Sequence, residues 1–131
     1  MIPNPPRNFL IVDDNVTLLE LLIAMFSRAF NGACDLYTTD NGFAAVQMAK
    51  EFLIDCALLD MQMPGMNGVQ TLRELKKANP QITVMMMTGA APEEMIEEAI
   101  HAGAIGCLTK PFTMEQVKDL LNGRGAERLA A

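Results

Sequence analysis

The sequence predicts a single α/β domain: a parallel sheet with helices on both faces. Three observations predict it. Short apolar runs alternate with longer amphipathic stretches five times along the 131 residues. The short runs are apolar throughout rather than at every second residue, as in strands buried on both faces. The length fits one domain of roughly 100–150 residues, enough to bury roughly two-thirds of the surface its unfolded chain exposes. Such alternation implies right-handed crossovers between parallel strands.

Each element carries its own signals. Phe9-Leu10-Ile11-Val12 is compact and branched and stops at Asp13-Asp14. Val16, Leu19, Ile23, Phe26 and Phe30 then recur at helical spacing, and Asn31-Gly32 ends that helix. Residues 34–39 read as a second strand and Asp40-Asn41-Gly42 as a turn. Ala45, Val46, Ala49 and Phe52 give the apolar face of a second helix. Cys56-Ala57-Leu58-Leu59 is a third buried strand, ending at Asp60. A loop with Pro64 and Gly65 leads to a helix carrying Val69, Leu72 and Leu75, closed by Asn79-Pro80. Residues 82–87 form a fourth strand ending at Thr88-Gly89.

Pro92 suits the first position of the next helix. Glu93 and Glu94 favour the positive end of its dipole, and Ile96, Ala99 and Ile100 supply its inner face. The fifth strand, residues 105–108, ends at Thr109-Lys110-Pro111. Thr113 and Gln116 have capping-box spacing and Phe112 and Val117 staple spacing, with Val117, Leu120 and Leu121 packing inward. The expected organisation is an N-terminal extension over 1–7, the domain over 8–122, and a tail or start of a linker over 123–131.

Composition narrows the function classes. Ten Lys and Arg stand against sixteen Asp and Glu, a formal charge of -6. A surface that binds nucleic acid or an anionic membrane needs the opposite sign. The most apolar stretch, residues 18–26, contains Glu20 and falls short of the about 20 residues that span a bilayer. Residues 1–6 lack the apolar core of a signal peptide. Cys34, Cys56 and Cys107 are odd in number and form no CxxC pair, which suits reduced thiols in a cytoplasm rather than zinc or a disulfide framework. The eleven Met read as core filler.

In an open parallel sheet, ligands bind beyond the carboxyl ends of the strands. The residues standing just after the strands are therefore informative. They are Asp13-Asp14 after the first, Asp60 after the third, Thr88 after the fourth and Lys110 after the fifth. Singly, each has a plain reading: Asp and Thr cap helices and form turns, and Lys is a solvated charge. Together they make a metal–phosphate site. Crowded carboxylates repel one another, and a cation resolves this. Hard oxygen ligands suit Mg²⁺, which keeps waters that phosphoryl oxygens can replace. Lys110 adds a point charge and Thr88 a hydroxyl donor. Such a set stabilises a transferring phosphoryl group, and a carboxylate within it can act as nucleophile.

Four ordered segments resemble the receiver domains of bacterial two-component response regulators. They are Ile11-Val12-Asp13-Asp14-Asn15, the stretch Leu58-Leu59-Asp60-Met61-Gln62-Met63-Pro64-Gly65-Met66-Asn67-Gly68, Met87-Thr88-Gly89-Ala90, and Leu108-Thr109-Lys110-Pro111-Phe112. The resemblance covers about residues 8–122. It implies a flavodoxin-like doubly wound sheet of order 2-1-3-4-5, and phosphorylation of Asp60 by a histidine kinase or histidine phosphotransfer protein. Asp14 and Asp60, with the backbone carbonyl of Gln62, would hold Mg²⁺, and Asp13 would act through a bound water. Thr88 and Lys110 would bind phosphoryl oxygens, and Gly89 would leave access open. Gln62 and Ala90 would tune dephosphorylation. The implied output is a downstream protein or fused output domain, from a monomer or a phosphorylation-dependent dimer. One position departs from the family pattern: where many receivers carry Tyr or Phe three residues before the Lys, this chain has Cys107.

Three other classes fit less well. A haloacid-dehalogenase-type hydrolase usually carries a second Asp two residues after the nucleophile, where this chain has Gln62. A flavin or nucleotide binder wants an anion cradle after the first strand, and Asp13-Asp14 repels phosphate. A receiver reduced to a scaffold would lack one of the acidic or Lys positions, and all five are present.

Overall fold

The computed structural model describes residues 5–123, so residues 1–4 of the expected extension and 124–131 of the expected tail lie outside the described part. The elements are β1 (Asn8–Val12), α1 (Val16–Ala29), β2 (Asp35–Thr39), α2 (Gly42–Glu51), β3 (Cys56–Asp60), α3 (Gly68–Ala78), β4 (Thr83–Thr88), α4 (Glu93–His101), β5 (Gly106–Thr109) and α5 (Met114–Leu121). All strand pairs are parallel, in the order β2-β1-β3-β4-β5. This is the expected architecture, with strand ends moved by a residue.

The sheet divides the core in two. Period-two alternation sends Leu10, Val12, Ala57, Leu59, Val84 and Met86 to one face, where α2, α3 and α4 pack. Phe9, Ile11, Cys56, Leu58, Met85 and Met87 go to the other, against α1 and α5. Each fully buried Phe, Leu, Ile or Met stabilises the fold by about 1.5–3 kcal/mol relative to exposure. Phe9 and Phe26 meet edge to face at 4.8 Å and fix α1 on the sheet. Met61, Met63, Met85, Met86 and Met87 are buried, as core filler should be.

Helix ends follow the sequence signals. Asn15, Asn41 and Asn67 cap α1, α2 and α3 with side-chain oxygens. Thr113 and Gln116 form the expected capping box of α5. Pro92 is instead the residue before α4, with ψ at 149° and no side-chain cap.

Two helix faces differ from expectation. In α1 the inward stripe is Leu19, Leu22 and Phe26, while Val16 is 57% and Ile23 36% exposed. Apolar Val16, Leu18, Leu21, Ile23 and Met25 flank that stripe, so spacing alone allowed more than one choice, and the sheet selects the one containing Leu22. Phe52 lies beyond α2, where the chain turns extended. Its ring stacks on Tyr37 at 4.7 Å rather than joining the helix face. Among the described residues no helix is long and apolar enough to cross a membrane.

Candidate functional site

Strand register assembles the site. Val12 is level with Leu59, so Asp13 and Asp60 leave the sheet side by side. Asp60 is level with Met87, and Thr88 with Thr109, which steps Thr88 and then Lys110 along the same edge. Asp13 and Asp60 are buried and Asp14 is exposed. The three carboxylates offer oxygens within 4.8 Å of one another.

Lys110 reaches in from the end of β5. Its Nζ donates to Asp13 Oδ2 at 2.7 Å and lies 3.5 Å from Asp60 Oδ2. The other oxygen of each carboxylate is held by backbone: the Asn15 N–H donates to Asp13 Oδ1 at 2.8 Å, and the Gln62 N–H to Asp60 Oδ1 at 3.2 Å. Burial pushes the Asp60 carboxyl above its ordinary pKa; the Gln62 N–H opposes this, Asp13 adds to it and Lys110 opposes it. Burial works against the Lys110 ammonium, but Asp13 and Asp60 outweigh it and its pKa is raised. One ammonium thus serves two buried carboxylates, while the third, Asp14, faces solvent. The hard oxygen donors and the resistance of Asp60 to ionising fit a small divalent cation such as Mg²⁺.

Thr88 stands at the same edge and is buried. Its Oγ1 accepts from the Ala91 N–H at 2.7 Å and the Ala90 N–H at 3.2 Å. Its carbonyl accepts from the Lys110 N–H at 2.7 Å, tying the two residues together. Gln62 exposes its side chain, and a Cβ built at Gly89 meets nothing within 4 Å. Cys107 does not face the site. It packs in the core cluster with Ala99 and Ala104 beneath α4.

Two contributors escaped the sequence reading. Asn15 caps α1 and holds Asp13 through its N–H, and a polar cap residue before an apolar period was the signal for it. Gly68 is the other. A Cβ there would overlap the Asp60 carbonyl oxygen and come within 2.8 Å of Met61 Cα. Only glycine lets α3 begin this close to the end of β3.

The response regulator receiver domain family matches residues 9–122. The chain belongs to that family. This receiver is 32% identical to the chemotaxis protein CheY of Halobacterium salinarum over 116 residues, covering 88% of this chain and 94% of the relative. It is equally similar, at 32% over 113 residues, to sporulation initiation phosphotransferase F of Bacillus subtilis, covering 86% and 89%. It matches the transcriptional regulatory protein ZraR of Klebsiella oxytoca at 32% over 24% of that protein's length. Among solved structures, the CheX-CheY-BeF3-Mg²⁺ complex from Borrelia burgdorferi superimposes with a TM-score of 0.79 at 26% identity, covering 92% of each chain. The fold is therefore the flavodoxin-like fold of CheY. Response regulator receivers are phosphoacceptor switches of two-component signalling rather than enzymes of the ordinary kind, and they generally bind Mg²⁺ at an acidic pocket.

Proposed function

We propose that this receiver takes a phosphoryl group on Asp60 from a histidine kinase or histidine phosphotransfer protein in the cytoplasm, and that the modification changes what its surface binds. The observation that carries the reading is the buried Asp60 carboxylate, set between Asp13 and Lys110 at the carboxyl edge of the sheet. An Asp60 oxygen attacks phosphorus, an O–P bond forms, and the P–N bond to the donor imidazole breaks with its electrons left on nitrogen. Asp13, Asp14 and Asp60, with the Gln62 carbonyl, are the residues that would hold Mg²⁺. Bound there, Mg²⁺ neutralises carboxylate charge and accepts phosphoryl oxygens as ligands.

Lys110 shifts its ion pair toward the phosphoryl oxygens. Thr88 is preset as a donor: both lone pairs of its Oγ1 are engaged by the Ala90 and Ala91 N–H groups, which leaves its own proton to give. Moving that hydroxyl toward phosphate draws on the two amides that precede α4, a helix with no side-chain N-cap. This gives a route to α4 that needs no ring at Cys107. Water attack on phosphorus later restores the carboxylate. The exposed Gln62 and Ala90 flank that approach and set its rate without affecting competence.

The test is incubation with acetyl phosphate, or with beryllofluoride and Mg²⁺. Wild type should incorporate one phosphoryl group and show shifted backbone amide resonances at Thr88, Ala90 and Ala91. Asp60→Asn should do neither. An equal response in that variant overturns the assignment.

A further inference from the structure

The loop from β3 to α3 brings two groups to the site. The Gln62 N–H holds Asp60 Oδ1 at 3.2 Å, and the Gln62 carbonyl is a proposed ligand of Mg²⁺. Both depend on where the main chain of the loop lies. At its far end Gly68 packs on the Asp60 carbonyl. On its other side the loop meets the first turn of α2.

That turn is itself fixed, because the Asn41 side chain accepts from the Ala44 N–H at 2.8 Å. A Cβ at Gly42 would overlap Thr71 Oγ1 and come within 3.1 Å of the Met66 side chain. The main chain of α2 therefore lies directly on both. Thr71 is fully buried, and its hydroxyl donates to the Asn67 carbonyl at 2.8 Å, one residue before Gly68. Phe43 comes next in α2. The edge of its ring stands 3.8 Å from where a Cβ at Gly65 would be, so the ring lies against the Pro64-Gly65 turn. With Gly65, Met66 and Gln70 it lines a groove between α2 and α3. Gly42 and Thr71 are buried and belong to the packing of the fold. Phe43 differs. It is 63% exposed, and neither core cluster includes it.

We propose that Phe43 is a positioning residue for the Asp60 site. Its ring, based on the Gly42–Thr71 seat, holds the Pro64-Gly65 turn, and through it the Gln62 main chain, where Mg²⁺ needs it. This rests on the reading of Asp60 as the phosphoacceptor. A loop held in place beforehand spares the cost of ordering it when the cation binds.

The test compares the full chain as wild type, Phe43→Ala, Phe43→Tyr and Asp60→Asn. Mg²⁺ affinity is read by calorimetry, metal-free amide hydrogen exchange at Gln62 by nuclear magnetic resonance, and stability by urea denaturation. Phe43→Ala should weaken Mg²⁺ binding about tenfold, the lower end for groups that support metal ligands from behind. Exchange at Gln62 should quicken severalfold. The urea midpoint should stay near that of wild type, as for substitutions at exposed side chains. Phe43→Tyr keeps the ring and should match wild type throughout. Wild-type Mg²⁺ affinity or wild-type Gln62 exchange in Phe43→Ala overturns the proposal. So does a loss that tracks a lowered urea midpoint, or one that Phe43→Tyr shares. If Asp60→Asn binds Mg²⁺ as wild type does, the Asp60 reading fails and the role of Phe43 falls with it. If only Phe43→Ala binds as wild type does, the Asp60 reading stands and the role of Phe43 alone is wrong.

Discussion

Asp13, Asp14, Asp60, Thr88 and Lys110 were legible because each stands at the last residue of a strand or one or two positions beyond it, and parallel register brings such positions to one edge. Their side-chain partners were not legible. Lys110 bonds Asp13 more closely than Asp60, and the Thr88 hydroxyl faces loop amides. Those choices depend on neighbours distant in sequence. Cys107 shows the same limit. The sequence marked it as a departure from an aromatic pattern, and the structure shows what the thiol does instead. It lies buried in the core cluster, and burial pushes its pKa up to about 11, which disfavours the thiolate that redox chemistry would need. Cys107 is buried within that cluster, so an aromatic ring there should overpack. Cys107→Phe should lower stability by about 1–3 kcal/mol in urea denaturation while phosphorylation from acetyl phosphate persists. An unchanged midpoint would mean that the core under α4 already holds room for a ring.

At the scale of elements, caps were read well and faces less well. Asn31-Gly32 and the Thr113–Gln116 box are local chemistry, so sequence distance does not obscure them. The inward stripe of α1 is a tertiary choice, because apolar residues extend well to either side of it and the polar side of Thr17, Glu20, Ser27 and Arg28 is narrow. The loop from β3 to α3 sits between these cases. Its turn residues were visible, but the demand at Gly68 comes from the fold: α3 begins against the backbone of Asp60 and Met61, and the Gly68 N–H bonds the Met61 carbonyl at 3.1 Å. Backbone cannot yield as a side-chain tip can. Gly68→Ala should cost about 1–3 kcal/mol in urea denaturation, and it should slow acetyl phosphate uptake by displacing Asp60. Wild-type stability with a wild-type rate would show that the loop, not the glycine, sets the position of Asp60.

For the whole molecule, the candidate site works against the stability of the fold that supports it. A buried carboxyl with a raised pKa binds its proton more tightly folded than unfolded. Its contribution to stability is present in acid, below the unfolded value, and is lost as pH rises through the folded value. Above that, the ionised Asp60 is a standing cost within a domain already carrying a charge of -6. Asp60→Asn should therefore raise the metal-free unfolding free energy at neutral pH and leave it nearly unchanged in acid, where wild-type Asp60 is protonated. Mg²⁺ should act in the opposite sense across pH. It needs the ionised carboxylates, so its stabilisation of wild type should grow as pH rises through the raised Asp60 value and level off above it. At a hundredfold excess over its dissociation constant the gain is about 2.7 kcal/mol. In Asp60→Asn the same Mg²⁺ concentration should give a severalfold smaller gain, because Asp13 and Asp14 remain but the buried third carboxylate is gone. Urea denaturation at several pH values, with and without Mg²⁺, separates the two effects. Equal Mg²⁺ stabilisation in both proteins would place the cation away from Asp60 and remove the electrostatic reason for burying that carboxylate beside Asp13.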